Sequence, residues 1–83
     1  MNNTLREIFA KQGRLAQALE GLNDDADLFA AGLDSLAIVN VMLAVEDRFE
    51  VEIPDEHLNR ATFSSISALA AVLRKLQAEQ HSA

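Results

Sequence analysis

The sequence predicts an all-α fold: a small bundle of three main helices plus one short helix. Three observations carry that reading. Apolar residues recur at helical spacing in three long segments. The chain of 83 residues holds only three Gly and one Pro, too little turn chemistry for a β-rich fold. It has no Trp, Tyr or Cys and four Phe, so Leu, Ile, Val and Ala must build its core. At this length folding buries roughly 60% of the unfolded surface, enough for one core without a deep, water-excluding active site. One domain, residues 1–83, is therefore expected, ordered over about 3–77 and frayed at 78–83.

Leu5, Ile8, Phe9, Leu15, Ala16 and Leu19 place a first amphipathic helix at about 3–20. Thr4 or Asn3 can cap its start, with Glu7 completing a capping box after Thr4. Gly13 is a weak point inside it, and Gly21 is a candidate C-terminal cap. Residues 21–34 lose the period. Asn23, Asp24, Asp25 and Gly32 mark a loop that Leu28, Phe29 and Leu33 pin to the core. A connection of that length usually has a functional reason.

The second helix is expected from Ser35 to Phe49. Ile38, Val41, Met42, Val45 and Phe49 gather on one face, assigned to the core; Leu36, Val39 and Leu43 gather on the opposite face. The second stripe is then at least partly exposed, and exposed apolar stripes tend to mark binding surfaces. Val51 to Asp55 reads as a tight connection with Ile53 inward, and Pro54 starts a short helical turn to about Asn59. Thr62 to Ser65 signals the start of the last helix, whose stripe is Ile66, Leu69, Ala70, Leu73 and Leu76.

The net charge of −6 is unevenly spread. Residues 23–57 hold ten acids against Arg48 alone, a net of −9, whereas residues 1–22 carry three bases against two acids, a net of +1. An acidic field repels nucleic acid and anionic membranes and attracts basic protein surfaces; it also serves solubility. Without cysteine there is no disulfide framework, thiolate metal site or cysteine nucleophile. No signal peptide or membrane-length apolar run is read, so a cytoplasmic monomer with no nucleic-acid partner and no membrane insertion is expected.

Catalytic constellations are thin. A Ser–His–carboxylate set would need His57 to reach Ser35, and no oxyanion loop or nucleophile elbow accompanies them. Asp24, Asp25 and Asp27 lack the spacing of a calcium loop, and phosphate-cradling motifs are missing. Ser35 differs in kind: it lies where an acidic loop meets a helix start. It can be an ordinary helix cap, or Asp34 can fill the cap and leave the Ser35 hydroxyl free.

Asp34-Ser35-Leu36, preceded by Asp27-Leu28-Phe29 and Gly32-Leu33, closely resembles the 4′-phosphopantetheine attachment motif of acyl carrier proteins. Glu46 to Phe49 followed by Val51-Glu52-Ile53-Pro54-Asp55-Glu56 is similar to the end of that family's second helix and its Ile-Pro junction. Thr62-Phe63 and the Ile66/Leu69 stripe resemble its last helix, so the likeness covers residues 5–76.

The resemblance implies that a phosphopantetheinyl transferase esterifies Ser35 with 4′-phosphopantetheine from coenzyme A, with Asp34 assisting recognition. The arm's thiol would carry cargo as a thioester, and the chain itself would be a non-catalytic carrier. Leu36, Val39 and Leu43 match partner-facing positions, and Glu46 and Asp47 match acids that meet basic patches on partner enzymes. Ala37 and Asn40 stand where bulk fatty-acid carriers usually have acids, and Asn59-Arg60 puts a base where the family is often acidic. These departures imply a specialised stand-alone carrier, served by an acyl- or aminoacyl-activating ligase and downstream transferases or synthases. Its cargo is acyl or aminoacyl; an unmodified helical adaptor using the Leu36/Val39/Leu43 stripe is the remaining alternative.

Overall fold

The computed structural model describes residues 1–81, and among them every regular element is helical. The long helices are α1 (Asn2–Lys11), α3 (Ser35–Phe49) and α4 (Ile66–Gln80); α2 (Ala16–Leu19) and a 3₁₀ turn (Asp55–His57) are short. Leu5 and Phe9 of α1, Val41 and Val45 of α3, and Ile66, Leu69 and Leu73 of α4 are fully buried and form the centre of the core.

The expected single helix over 3–20 is two helices. Gly13 presses against the Phe9 carbonyl so closely that a Cβ there would sit 2.7 Å from the oxygen. Arg14 then takes a left-handed backbone with φ 60. The Leu15 N–H donates to the Phe9 carbonyl at 3.3 Å, which redirects the chain and puts Leu15 and Leu19 into the core. No capping box forms: the helix starts one residue earlier than expected, with Met1 at the cap and no side-chain bond. Gly21 is not a left-handed cap either, since Gly32 alone among the glycines has positive φ. Arg6 does that work. Its guanidinium donates to the Leu19 carbonyl at 3.2 Å, which also accepts from Leu22 N, and to the Leu22 carbonyl, placing a cation at the end of α2. Its Nε also pairs with Asp24 at 2.9 Å. The Asn2 amide and Arg6 together hold the Asp24 carboxyl below its ordinary range, against an opposing effect of desolvation.

The connection to α3 is ordered by short-range polar turns. Asn23 Oδ1 accepts from Asp25 N, and Asp27 Oδ1 from Phe29 N, both at 2.9 Å. Leu28 and Leu33 are buried, as expected, and Phe29 packs half-buried against them. Leu28 N donates to Ser64 O at 2.8 Å and Ser67 N to Asp24 O at 2.9 Å, so the loop is laced to the start of α4. Gly32 turns the chain at φ +118, a conformation that side chains rarely adopt, and delivers it to Asp34.

The most buried line of α3 is Ala37, Val41 and Val45. Ile38, Met42 and Phe49, expected inside with them, are half-buried on its flank. In α4 the expected stripe of Ile66, Leu69, Ala70, Leu73 and Leu76 is buried, and Ser65 caps its start by accepting from Ala68 N at 3.0 Å.

α4 runs to Gln80, into the stretch expected to fray from residue 78; residues 82–83 lie outside the described part. The Gln80 amide binds Glu52 like a strand neighbour: Oε1 accepts from Glu52 N at 2.9 Å and Nε2 donates to Glu52 O at 2.8 Å. His81 Nε2 lies 2.7 Å from the Glu50 carbonyl. These contacts fasten the end of α4 to the α3 exit. Gln80→Ala loses both amide bonds at an exposed site and should lower stability by about 0.5–1.5 kcal/mol, read as a lower urea midpoint at unchanged slope.

Candidate functional site

The site begins with the cap of α3. Asp34 is extended (φ −118, ψ 176), and its Oδ1 accepts from Ala37 N at 2.8 Å. That bond satisfies one of the unpaired N–H groups at the helix start. Ser35 is thereby released from capping. It is the first helical residue, it is exposed, and its hydroxyl makes no hydrogen bond among the described residues. Among the described residues no histidine or carboxylate is bonded to it, and the carboxylate partner of His57 is Glu56, at 3.8 Å.

Ser35 opens onto a groove of ≈ 400 Å³. Ile38, Val39 and Met42 wall it from α3, and Leu58 and Arg60 from the segment after the 3₁₀ turn; Phe29 and Phe63 complete it. The half-burial of Ile38 and Met42 follows from this, because one flank of the core stripe faces the groove. A free hydroxyl at a helix N-terminus beside an apolar groove suits a phosphate-linked arm, since the first-turn N–H groups and the helix dipole favour an anion there. Ser35, Asp34 and the groove fit such a group.

Leu36, Val39 and Leu43 lie exposed along one face of α3, at 63%, 47% and 56%. Leu58, which sequence periodicity did not flag, adds a fourth exposed apolar side chain that lines the groove together with Val39. Asp47 is exposed, whereas Glu46 is half-buried and its Oε2 accepts from Ile53 N at 2.8 Å. Glu46 is therefore bonded to the Ile-Pro junction and is not a free surface charge like Asp47. Ala37 is 5% exposed, so an acid there would be forced into the core, and its absence says nothing about docking. Asn40, half-buried, remains the informative departure.

Arg60 is the feature whose role the sequence left open. Its guanidinium carbon lies 4.0 Å from the centroid of the Phe29 ring. The unusual base at 60 was visible in the sequence; its partner, 31 residues away, was not.

Residues 3–73 match the family model described as phosphopantetheine attachment site. The chain belongs to the phosphopantetheine-binding carrier family. The prosthetic group of this carrier is accordingly 4′-phosphopantetheine. The carrier is 51% identical over 69 residues to an aminoacyl carrier protein of Agrobacterium fabrum, covering 83% of each chain. It superposes with a TM-score of 0.83 and 47% identity on a chain from a crystal structure of engineered Bradyrhizobium japonicum glycine:[carrier protein] ligase complexed with a carrier protein from Agrobacterium tumefaciens and AMP, covering 89% of this chain and 99% of that one. A second structure, of the Bradyrhizobium japonicum ligase complexed with glycylated carrier protein, matches with a TM-score of 0.69 at 29% identity over 86% and 95% of the two chains. No helix among the described residues is long and apolar enough to cross a membrane.

Proposed function

We propose that this carrier holds an aminoacyl group as a thioester on an arm attached to Ser35 and exchanges it with an amino-acid-activating ligase and downstream transferases. The observation that carries the attachment site is the division of labour at the helix start: Asp34 takes the cap and Ser35 keeps a free, exposed hydroxyl. The aminoacyl cargo is supported by the 51% identity to an aminoacyl carrier protein. When attached, the group supplies the thiol that this cysteine-free chain lacks.

The chain's residues bind and position; they do not activate. A phosphopantetheinyl transferase must remove the Ser35 proton, because among the described residues no histidine or carboxylate is bonded to its hydroxyl. Leu36, Val39 and Leu43 offer an apolar docking stripe, and the acidic segment 23–57 draws basic enzyme surfaces toward it. Asp47 contributes at most about 1 kcal/mol as an exposed charge. Its larger effect is on partner choice, which is a difference of such terms.

Asp34 carries two roles that substitutions separate. Asp34→Ala removes the cap and lowers stability by about 0.5–2 kcal/mol. Asp34→Asn keeps a cap of equal rank and so keeps the melting temperature, while slower modification by the transferase reveals the loss of the charge. Equal modification rates for Asp34→Asn and wild type remove Asp34 from transferase recognition.

The cargo is tested by offering the modified protein and ATP to a glycine:[carrier protein] ligase, and separately to a housekeeping fatty-acid synthase. Intact mass reads the outcome. Glycylation with poor turnover by the synthase supports the proposal; efficient turnover by the synthase with no aminoacylation overturns it. The second outcome is the acyl-carrier reading, which the apolar groove beside Ser35 favours.

A further inference from the structure

Among the described residues, the groove beside Ser35 is walled mostly by apolar side chains, with Ser35 and Asn59 polar and Arg60 the one charged residue that lines it. The guanidinium is parked on the Phe29 ring at 4.0 Å, an arrangement that holds its flat face and leaves its N–H edges free. The loops around it are rich in acids: Asp55 and Glu56 precede it by a few residues, and Asp27 lies two residues before Phe29. Even so, among the described residues the Arg6–Asp24 ion pair and the His57–Glu56 contact leave Arg60 out. A cation that lines the same groove as Ser35, held in place by an aromatic ring and left without an anion, lacks only its counter-charge.

We propose that Arg60 is the docking cation for the phosphodiester of the arm on Ser35, and that this contact lays the root of the arm toward the groove. The inference rests on Ser35 being the attachment point. Attachment adds an anion to a segment that already carries a net charge of −9, so a nearby cation relieves repulsion that the α3 N-terminus relieves only in part. Arginine suits the task because its planar fork matches two phosphate oxygens. The Phe29 platform pre-orients the side chain, so little rotamer freedom remains to be lost on contact. Arg60 is exposed, so salt must weaken the contact.

The test uses the intact protein labelled with ¹⁵N and converted with coenzyme A and a phosphopantetheinyl transferase. Mass spectrometry comes first: one adduct on wild type and none on Ser35→Ala establishes the attachment point independently of Arg60. Two resonances then read the contact, the Arg60 Nε–Hε signal and the ³¹P signal of the arm. The Nε–Hε signal should move on conversion. The ³¹P signal of the folded protein should differ from that of the same protein unfolded in urea. Arg60→Gln should return it toward the unfolded position, and Arg60→Lys should retain part of the displacement. Salt at about 1 M, where the screening length is about 3 Å, should mimic Arg60→Gln. An adduct on Ser35 with an unmoved Nε–Hε signal, and the same ³¹P position in wild type and Arg60→Gln, overturns the proposal. Loss of the adduct itself overturns the attachment reading instead. Because Arg60 is exposed and loses only its contact with Phe29, Arg60→Gln should melt within a few degrees of wild type and leave amide signals remote from the groove in place.

Discussion

Ser35→Ala should abolish loading of the carrier completely while leaving its fold intact. The two halves of that result come from different residues. The hydroxyl is the proposed point of attachment, and the chain has no cysteine to substitute for it. The helix does not depend on that hydroxyl, because Asp34 Oδ1 takes the Ala37 N–H at 2.8 Å and Ser35 is exposed. An exposed substitution that removes no cap bond changes stability by no more than about 0.5 kcal/mol. Intact mass after exposure to transferase and coenzyme A should show no adduct, and thermal melts of variant and wild type should coincide. An adduct that persists on Ser35→Ala would place the attachment point elsewhere.

Phe63→Ala should have the largest effect on the folded state. Phe63 is 1% exposed, belongs to the core and also lines the groove beside Ser35. Truncating a buried Phe costs about 3–5 kcal/mol through lost transfer energy and the cavity left behind. A chain of 83 residues has a total stability of roughly 4–12 kcal/mol, taking about 0.05–0.15 kcal/mol per residue. The variant should therefore melt at least about 12 °C lower, or fail to fold at all. Phe63→Leu retains most of the apolar volume and should remain folded and loadable. A small shift for Phe63→Ala would mean that the groove collapses into the space without loss, and that its present width is not fixed by the ring.

The second and last helices were legible because each announces itself twice, by periodicity and by a capping side chain. Asp34 and Ser65 both cap as their residue types suggest, and α3 spans Ser35–Phe49 as periodicity indicates. The first segment misled for a physical reason. Its apolar spacing continues through Leu15 and Leu19, but the backbone breaks at Gly13-Arg14, so the same residues reach the core by a turn. The fastening of α4's end was not legible for another reason: a glutamine side chain pairing with a backbone 28 residues away leaves no local signature. Ser35 was singled out by its place between an acidic loop and a helix start, and proposed as an attachment point only through the family resemblance. The groove was not legible, since Phe29, Met42 and Arg60 come from three separate stretches of chain. Ala37 shows the limit most sharply. A small residue on a helix fits either face, and only packing revealed that this one points inward.

The bond from Ile53 N to Glu46 Oε2, at 2.8 Å, sets a trap for anyone mapping the acidic face by alanine scanning. Glu46→Ala would unfasten the junction on which Val51 and Ile53 enter the core, and an enzyme could then bind less well for conformational reasons alone. The loss would masquerade as a missing intermolecular charge. Asp47, one residue on and exposed, gives the clean reading, and the difference between the two variants measures how much of the apparent recognition is really architecture.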